Sequence, residues 1–232
     1  MDDEVFKLAL YILVPAALAV SGYGMWQSRV KLRQMKELPS VMQAAGLQLF
    51  ANQKMHESFQ FLPNFKQPED IKQTRCVAKG RINDTDIVTF IYDEKRSKTT
   101  HPILVLIAAL PQPVPQLGIY TRSTIFGPIT PSGQQVFETK NAELDKAFRI
   151  TAASKADFDR LVTPELQKYL LQNQDIAHIE IAEKAVALFN TDSRFFQLVT
   201  TNGIPSKSQF ERRLRQVSEL QKIIEKQPAW AF

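Results

Sequence analysis

Cysteine is nearly absent from this chain. Cys76 stands alone among 232 residues. One thiol cannot close an internal disulfide, and the cysteine-based zinc patterns are excluded. In the strand-like stretch that holds it, Cys76 reads as a buried or edge thiol rather than a nucleophile. Histidine is scarce as well. The three are His56, His101 and His178, and there is no HExxH. His178-x-Glu180 reads as a surface pair rather than a ligand pair. The eight glycines are scattered. They form no GxGxxG, no phosphate loop and no GxSxG elbow, so the familiar nucleotide and hydrolase signatures are missing. No catalytic residue, metal ligand or cofactor is expected on these grounds. The acids Asp84, Asp86, Asp93 and Glu94 read as turn and gatekeeper residues.

Charge of one sign is only mildly in excess, at +5. The basic residues are spread along the chain, with no Lys/Arg run interleaved with aromatics, which disfavours nucleic-acid binding. No repeat or low-complexity stretch is present. With 44% hydrophobic and 23% charged residues, the composition is that of a folded domain, and the length allows one such domain plus an attached segment.

That segment is visible at the start. The 19 residues from Leu8 to Trp26 carry no charge. As a helix rising about 1.5 Å per residue they reach roughly 30 Å, the thickness of a bilayer core. The stretch is apolar all round, unlike an amphipathic core helix. Tyr23 and Trp26 fall where amphipathic rings favour the interface, and Lys7 can snorkel. Pro15 sits mid-span, where lipid-embedded helices tolerate it. A cleaved signal peptide is the rival, but the leading MDDEVFK is acidic where such a peptide needs positive charge. Arg29, Lys31, Arg33 and Lys36 follow the span. By the positive-inside rule the N-terminus lies outside and the large C-terminal part in the cytoplasm. The same four residues are candidate contacts for anionic headgroups, at about 1 kcal/mol each.

The predicted organisation is a transmembrane segment over 1–27, a basic stem over 28–40 broken at Pro39, a soluble domain over 41–203 and a C-terminal helix over 204–232. Within the domain, VMQAAG reads as a short helix stopped at Gly46. Phe59, Phe61 and Phe65 read as core plugs. RCVAKGRINDTDIVTFIY reads as a hairpin turning between Gly80 and Thr85, with Val88, Phe90 and Tyr92 on one face and Ile87, Thr89 and Ile91 on the other. Ile103 to Leu110 reads as a central strand buried on both faces, ended by the prolines of PQPVPQLG. FRITAASKADFDRLVTPELQKYLLQ predicts a strand, then helices capped by Ser154 and Thr163. IEIAEKAVALF predicts a hairpin, with Ile179 and Ile181 facing Val186 and Leu188. The fold class expected is α+β, with a mixed, mainly antiparallel sheet.

This order of features resembles a bacterial family of membrane-anchored proteins known only as a domain of unknown function. The matching positions are Gly46, Gly80, Phe90, Tyr92, Phe148 and the stretch Leu161 to Leu166, across roughly residues 41–190. FIYDE departs from the aromatic pattern usual at that point in the family. The resemblance implies an anchored cytoplasmic α+β domain and supplies no activity, cofactor or catalytic residue.

SKSQFERRLRQVSELQKIIEK is the clearest soluble helix. Ser206 with Gln209 and Ser208 with Glu211 both have the form of a capping box. Phe210, Leu214, Val217, Leu220 and Ile224 make an apolar stripe. Lys207, Arg212, Arg213 and Arg215 form the best candidate contact surface. The function expected is a non-enzymatic interaction or scaffold module at the inner membrane. Its partners would be the bilayer and another membrane or cytoplasmic protein, self-association included. An enzyme acting on a membrane-proximal substrate, and binding of anionic lipid or nucleic acid through the basic helix, are the alternatives.

Overall fold

The computed structural model of the chain describes residue 29 and residues 33–51, 55–62, 65, 71–96, 99–122, 133–190 and 205–227. The expected transmembrane span lies outside these residues. Among the described residues no helix is long and apolar enough to cross a membrane.

The architecture is α+β. Helix α1 covers residues 33–44. Strands β1 (Gln48–Leu49), β2 (Ile71–Ile82), β3 (Thr85–Arg96) and β4 (Thr99–Thr121) follow. Next come β5 (Gln135–Phe137), α2 (Ala142–Ala147), β6 (Phe148–Ala152), α3 (Lys155–Leu161) and α4 (Pro164–Gln172). Strand β7 (His178–Asn190) and helix α5 (Lys207–Glu225) complete the order. All strand pairs are antiparallel.

Strand β4 organises the sheet. One edge pairs with β7 from Leu104 to Tyr120, interrupted around the prolines, while the other pairs first with β3 and then with β6. Two wings therefore hang on one β4–β7 ribbon: β1-β2-β3 on one part, β6-β5 on the other. Residues Ile103 to Ala108 are buried and alternate between two apolar clusters, as a central strand requires. The strand does not stop at the prolines, however. Pro111, Pro113 and Pro115 lie within it, between the last residue paired with β3 and the first paired with β6. There the ladder to β7 also shifts register, so few backbone N–H groups are demanded and proline is tolerated.

The ribbon turns sharply at this point. His178 and Phe189 are 11 residues apart on β7, about 36 Å along a straight strand. Their rings nevertheless stack with centroids 4.4 Å apart. Glu183, with φ 48°, and its partner Val114 sit at the corner, between Pro113 and Pro115. The expected hairpin over residues 179–189 is thus one continuous strand bent by a bulge. Ile179, Ile181, Val186 and Leu188 do not face one another across a hairpin; they share one cluster on the same face.

That face is covered by helices. Leu38 and Met42 of α1, Phe158 and Leu161 of α3, Leu166 and Leu170 of α4, and the stripe of α5 pack against Ile87, Ile91, Leu104 and Leu106. The opposite face carries Phe90, Tyr92, Val105 and Phe189, covered by Phe65 and, in part, by Phe59 and Phe61. The β2–β3 hairpin turns at Asn83 and Asp84, both with positive φ, as a two-residue type I′ turn demands. Helix α1 runs through Pro39 rather than breaking there. The lost bond costs about 3 kcal/mol, which burying Leu38 and Met42 offsets at about 1.5–3 kcal/mol each. Gly46 then ends α1 in a left-handed conformation. Its N–H donates to the Gln43 carbonyl and that of Leu47 to the Met42 carbonyl, a Schellman closure.

The corner yields a direct check. Glu183→Gly should leave stability within about 0.5 kcal/mol or raise it, whereas Glu183→Val should cost about 1–2 kcal/mol by forcing a β-branched residue into a left-handed conformation. Denaturant unfolding followed by circular dichroism measures both; equal midpoints would mean that the corner does not depend on this residue.

Candidate interaction surface

Helix α5 begins at a complete capping box. Ser206 Oγ accepts from Gln209 N, and Gln209 Oε1 accepts from Ser206 N at 2.9 Å. Its apolar stripe docks on its own domain, since Phe210, Leu214, Val217, Leu220 and Ile224 are all buried in the helical-face core. Ser218 and Gln221 extend the contact to the β2–β3 hairpin through Thr85 Oγ1, at 2.9 and 3.3 Å. The stripe is therefore not available to a partner.

The cationic cluster divides. Arg213 is largely buried and forked onto Asp175. Its Nη1 donates to Asp175 Oδ2 at 2.9 Å, its Nη2 to the Asp175 carbonyl at 2.8 Å, and its Nε to Asn190 Oδ1 at 3.2 Å. Burial lowers the Arg213 pKa and the Asp175 carboxylate opposes that shift. Arg212 Nη2 donates to the other carboxylate oxygen, Asp175 Oδ1, at 2.9 Å. Tyr169 Oη donates to the Gln216 carbonyl at 2.9 Å, and burial pushes its phenol well above the ordinary range. Arg212 and Arg213 thus clamp α5 to the loop between α4 and β7. Sequence spacing placed them on one helix but gave no sign of Asp175, 37 and 38 residues away.

Arg215 and Lys207 remain exposed. Lys207 stands 4.0 Å from Glu211. Arg215 borders a cleft of about 500 Å³ between α4 and α5, together with Lys168, Lys222, Lys226, Glu165 and Glu219. Lys226 is bonded to Glu165 there at 3.1 Å. This mixed-charge cleft, with cations in the majority, is what the structure leaves of the predicted contact surface.

The stem residues fall differently. Arg29, Arg33 and Lys36 are exposed, and Arg33 pairs with Glu37 one turn on at 2.7 Å. Lys31 lies outside the described residues. The side chains of His56 and His101 do too, as does that of Glu94. Asp84 and Asp86 sit at the hairpin turn. Asp93 lies toward the other end of β3, bonded to Arg75 at 2.7 Å, so the acids of the hairpin do not converge. Cys76 adopts φ 52° at an irregularity of β2, and burial raises its thiol pKa, the opposite of an activated nucleophile.

His178 and Glu180 are not a surface pair. Glu180 is 1% exposed, and its Oε1 lies 3.1 Å from His178 Nε2. The imidazole is sandwiched between Tyr120 and Phe189, with centroids 4.5 and 4.4 Å away. Tyr120 is raised above its usual pKa, first by burial and then by the charge of Glu180. Nearby, Thr151 Oγ1 donates to Gln134 Oε1 at 2.5 Å. This polar knot joins the two arms of the bent ribbon. Alternating His-x-Glu on a strand signals a shared face, but only the bend reveals that the face is interior.

The fold has a solved counterpart. It is similar to the crystal structure of the mycobacterial trehalose monomycolate transport factor A, TtfA, with a TM-score of 0.63 over 86% of this chain and 98% of that one. The sequences are 9% identical, so the likeness is one of fold. No family model and no curated protein matches the chain.

Two substitutions separate the clamp from the free surface. Asp175→Ala should destabilise the domain by about 1–3 kcal/mol, because it leaves Arg213 largely buried without its carboxylate. Arg215→Ala should stay within about 0.5 kcal/mol. His178→Ala should cost about 2–4 kcal/mol through the cavity between two rings and the lost partner of Glu180. Urea titrations of the three variants check the ranking, and a neutral Asp175→Ala would remove the clamp.

Proposed function

We propose that the chain is a membrane-anchored accessory module without catalytic chemistry of its own, serving a membrane-associated complex. The observation that carries this reading is the uncharged run from Leu8 to Trp26, followed by a basic stretch that leads into a helix rooted in the domain core through Leu38 and Met42. In this reading the segment spans the inner membrane once, with the N-terminus outside and the domain in the cytoplasm. Arg29, Lys31, Arg33 and Lys36 then sit at the headgroups. The chain would belong with the anchored domain family that its sequence resembles. A fold neighbour named as a transport factor is in keeping with an accessory role.

The partner-facing surface is the α4–α5 cleft, with Arg215 at its border and Lys207 exposed at the start of α5. Arg212 and Arg213 are already committed to Asp175, which weakens the case for lipid or nucleic-acid binding by a basic helix. A mixed-charge cleft suits a protein partner better than a polyanion. Confinement at the bilayer raises the local concentration of such a partner, so a weak site suffices.

Affinity purification from mild detergent tests this. The intact chain should fractionate with membranes and bring down a stoichiometric protein, and Arg215→Glu with Lys222→Glu should weaken that capture at least about fivefold. A C-terminal reporter should be active in the cytoplasm. Recovery in the soluble fraction, or a reporter active only outside the membrane, would overturn the reading.

A further inference from the structure

The face of the sheet opposite the helices is filled unevenly. At one end Phe65, Phe90, Tyr92 and Phe189 close it. Toward the ribbon corner the residues become small, and a groove of about 550 Å³ opens over Val88, Ile107, Ala109 and Ala185, walled by Phe59 and Phe61. Ala109 is exposed on its floor. Among the described residues the lining includes no Ser, Thr, Asn, Gln, Tyr or His side chain. Polar chemistry is confined to the charged rim, where Lys79, Arg81 and Lys184 outnumber Asp86. Lys79 lies over the Phe50 ring, 5.3 Å from its centroid. Among the described residues no carboxylate pairs with Arg81 or Lys184.

We infer that this groove binds a single-chain anionic amphiphile, a free fatty acid, with its acyl chain on the Val88–Ala109 floor and its carboxylate at Arg81 and Lys184. The lining decides between ligand classes. A sugar or nucleotide buries many hydroxyls and ring nitrogens, which this wall leaves unpaired at about 1–3 kcal/mol apiece. An acyl chain requires nothing of the wall but apolar surface, worth about 0.8 kcal/mol per methylene buried. The volume falls within the range of small-ligand pockets, about 300–1,000 Å³. Ten residues of a partner helix, about 10 Å across and 15 Å long, displace over about 1,000 Å³. A second copy of the chain is disfavoured too, since a twofold contact sets this cationic rim against itself. The excess of cations supplies the complement to one negative head, and such rim charges act chiefly by selecting among headgroups. The inference stands on the groove alone and does not depend on the anchoring reading.

The test uses the full chain in phosphatidylcholine nanodiscs. A diazirine-bearing palmitate and the matching diazirine-bearing hexadecanol are photolysed with it, and labelled peptides are mapped by mass spectrometry. Palmitate should label the peptides carrying Phe61, Val88 or Ile107, and unlabelled palmitate should compete. Ala109→Trp, at an exposed position, should reduce that labelling at least about tenfold by filling the groove. Arg81→Glu with Lys184→Glu, two surface changes that leave the core untouched, should reduce palmitate labelling about threefold and leave hexadecanol labelling unchanged. Labelling confined to residues 1–28, labelling indifferent to Ala109→Trp, or equal loss of both probes in the charge-reversed variant would each overturn the assignment. Membrane fractionation of the same variants reads out anchoring separately.

Discussion

The ladder between β4 and β7 carries the domain. One edge of β4 is given to β7 from Leu104 to Tyr120, and the other is shared between two wings whose described strands do not pair with each other. Each wing alone would be a small sheet with one uncovered face. Joined on one bent ribbon, they put a single apolar cluster against five helices and fold the opposite face inward, where His178 meets Phe189. The bend has a local cause. Pro111, Pro113 and Pro115 withhold ladder donors along one strand, and Glu183 adopts a left-handed conformation in the other. Two irregularities at the same level make a corner where either alone would make a weak spot.

Local signals in the chain were reliable where the cause was local. Ser154, Thr163 and Ser206 all accept the backbone bonds that their positions predict, and Gly46 closes α1. The alternation in DIVTFIY assigns both faces of β3 correctly, because its ladder to β4 is regular and the irregularities of its ladder to β2 fall on β2. Reading failed where tertiary context overrode local preference. Three closely spaced prolines ordinarily end a strand, yet here they fall in the gap between partners. A charged Glu-Lys inside an apolar stretch ordinarily marks a hairpin turn, yet here it marks a bulge. Pro39 ordinarily breaks a helix, yet the burial on either side of it holds α1 together.

The candidate site was half legible for the same reason. Period and composition identify α5 and its arginines. They cannot show that two of the three are satisfied by Asp175 in a distant loop, nor that His178 and Glu180 end up inside. A cluster of charge on a helix reports only that the charges need partners; the fold decides whether those partners are its own. The groove near the corner had no signature at all, because an open floor is made by alanines, which in sequence look like any others.

The hydroxyl contact between Thr85 and Ser218 joins positions 133 residues apart. Helix α5 covers the helical face of β4 and is made after every strand it packs against. Until then the part of that face beneath α5 is bare, and contacts so distant in sequence form slowly. The domain therefore cannot finish folding until α5 has left the ribosome. If its first residues are already held at a membrane, the nascent chain waits there with apolar surface bare, in the situation where a chaperone, or an early-bound partner, has most effect on its fate.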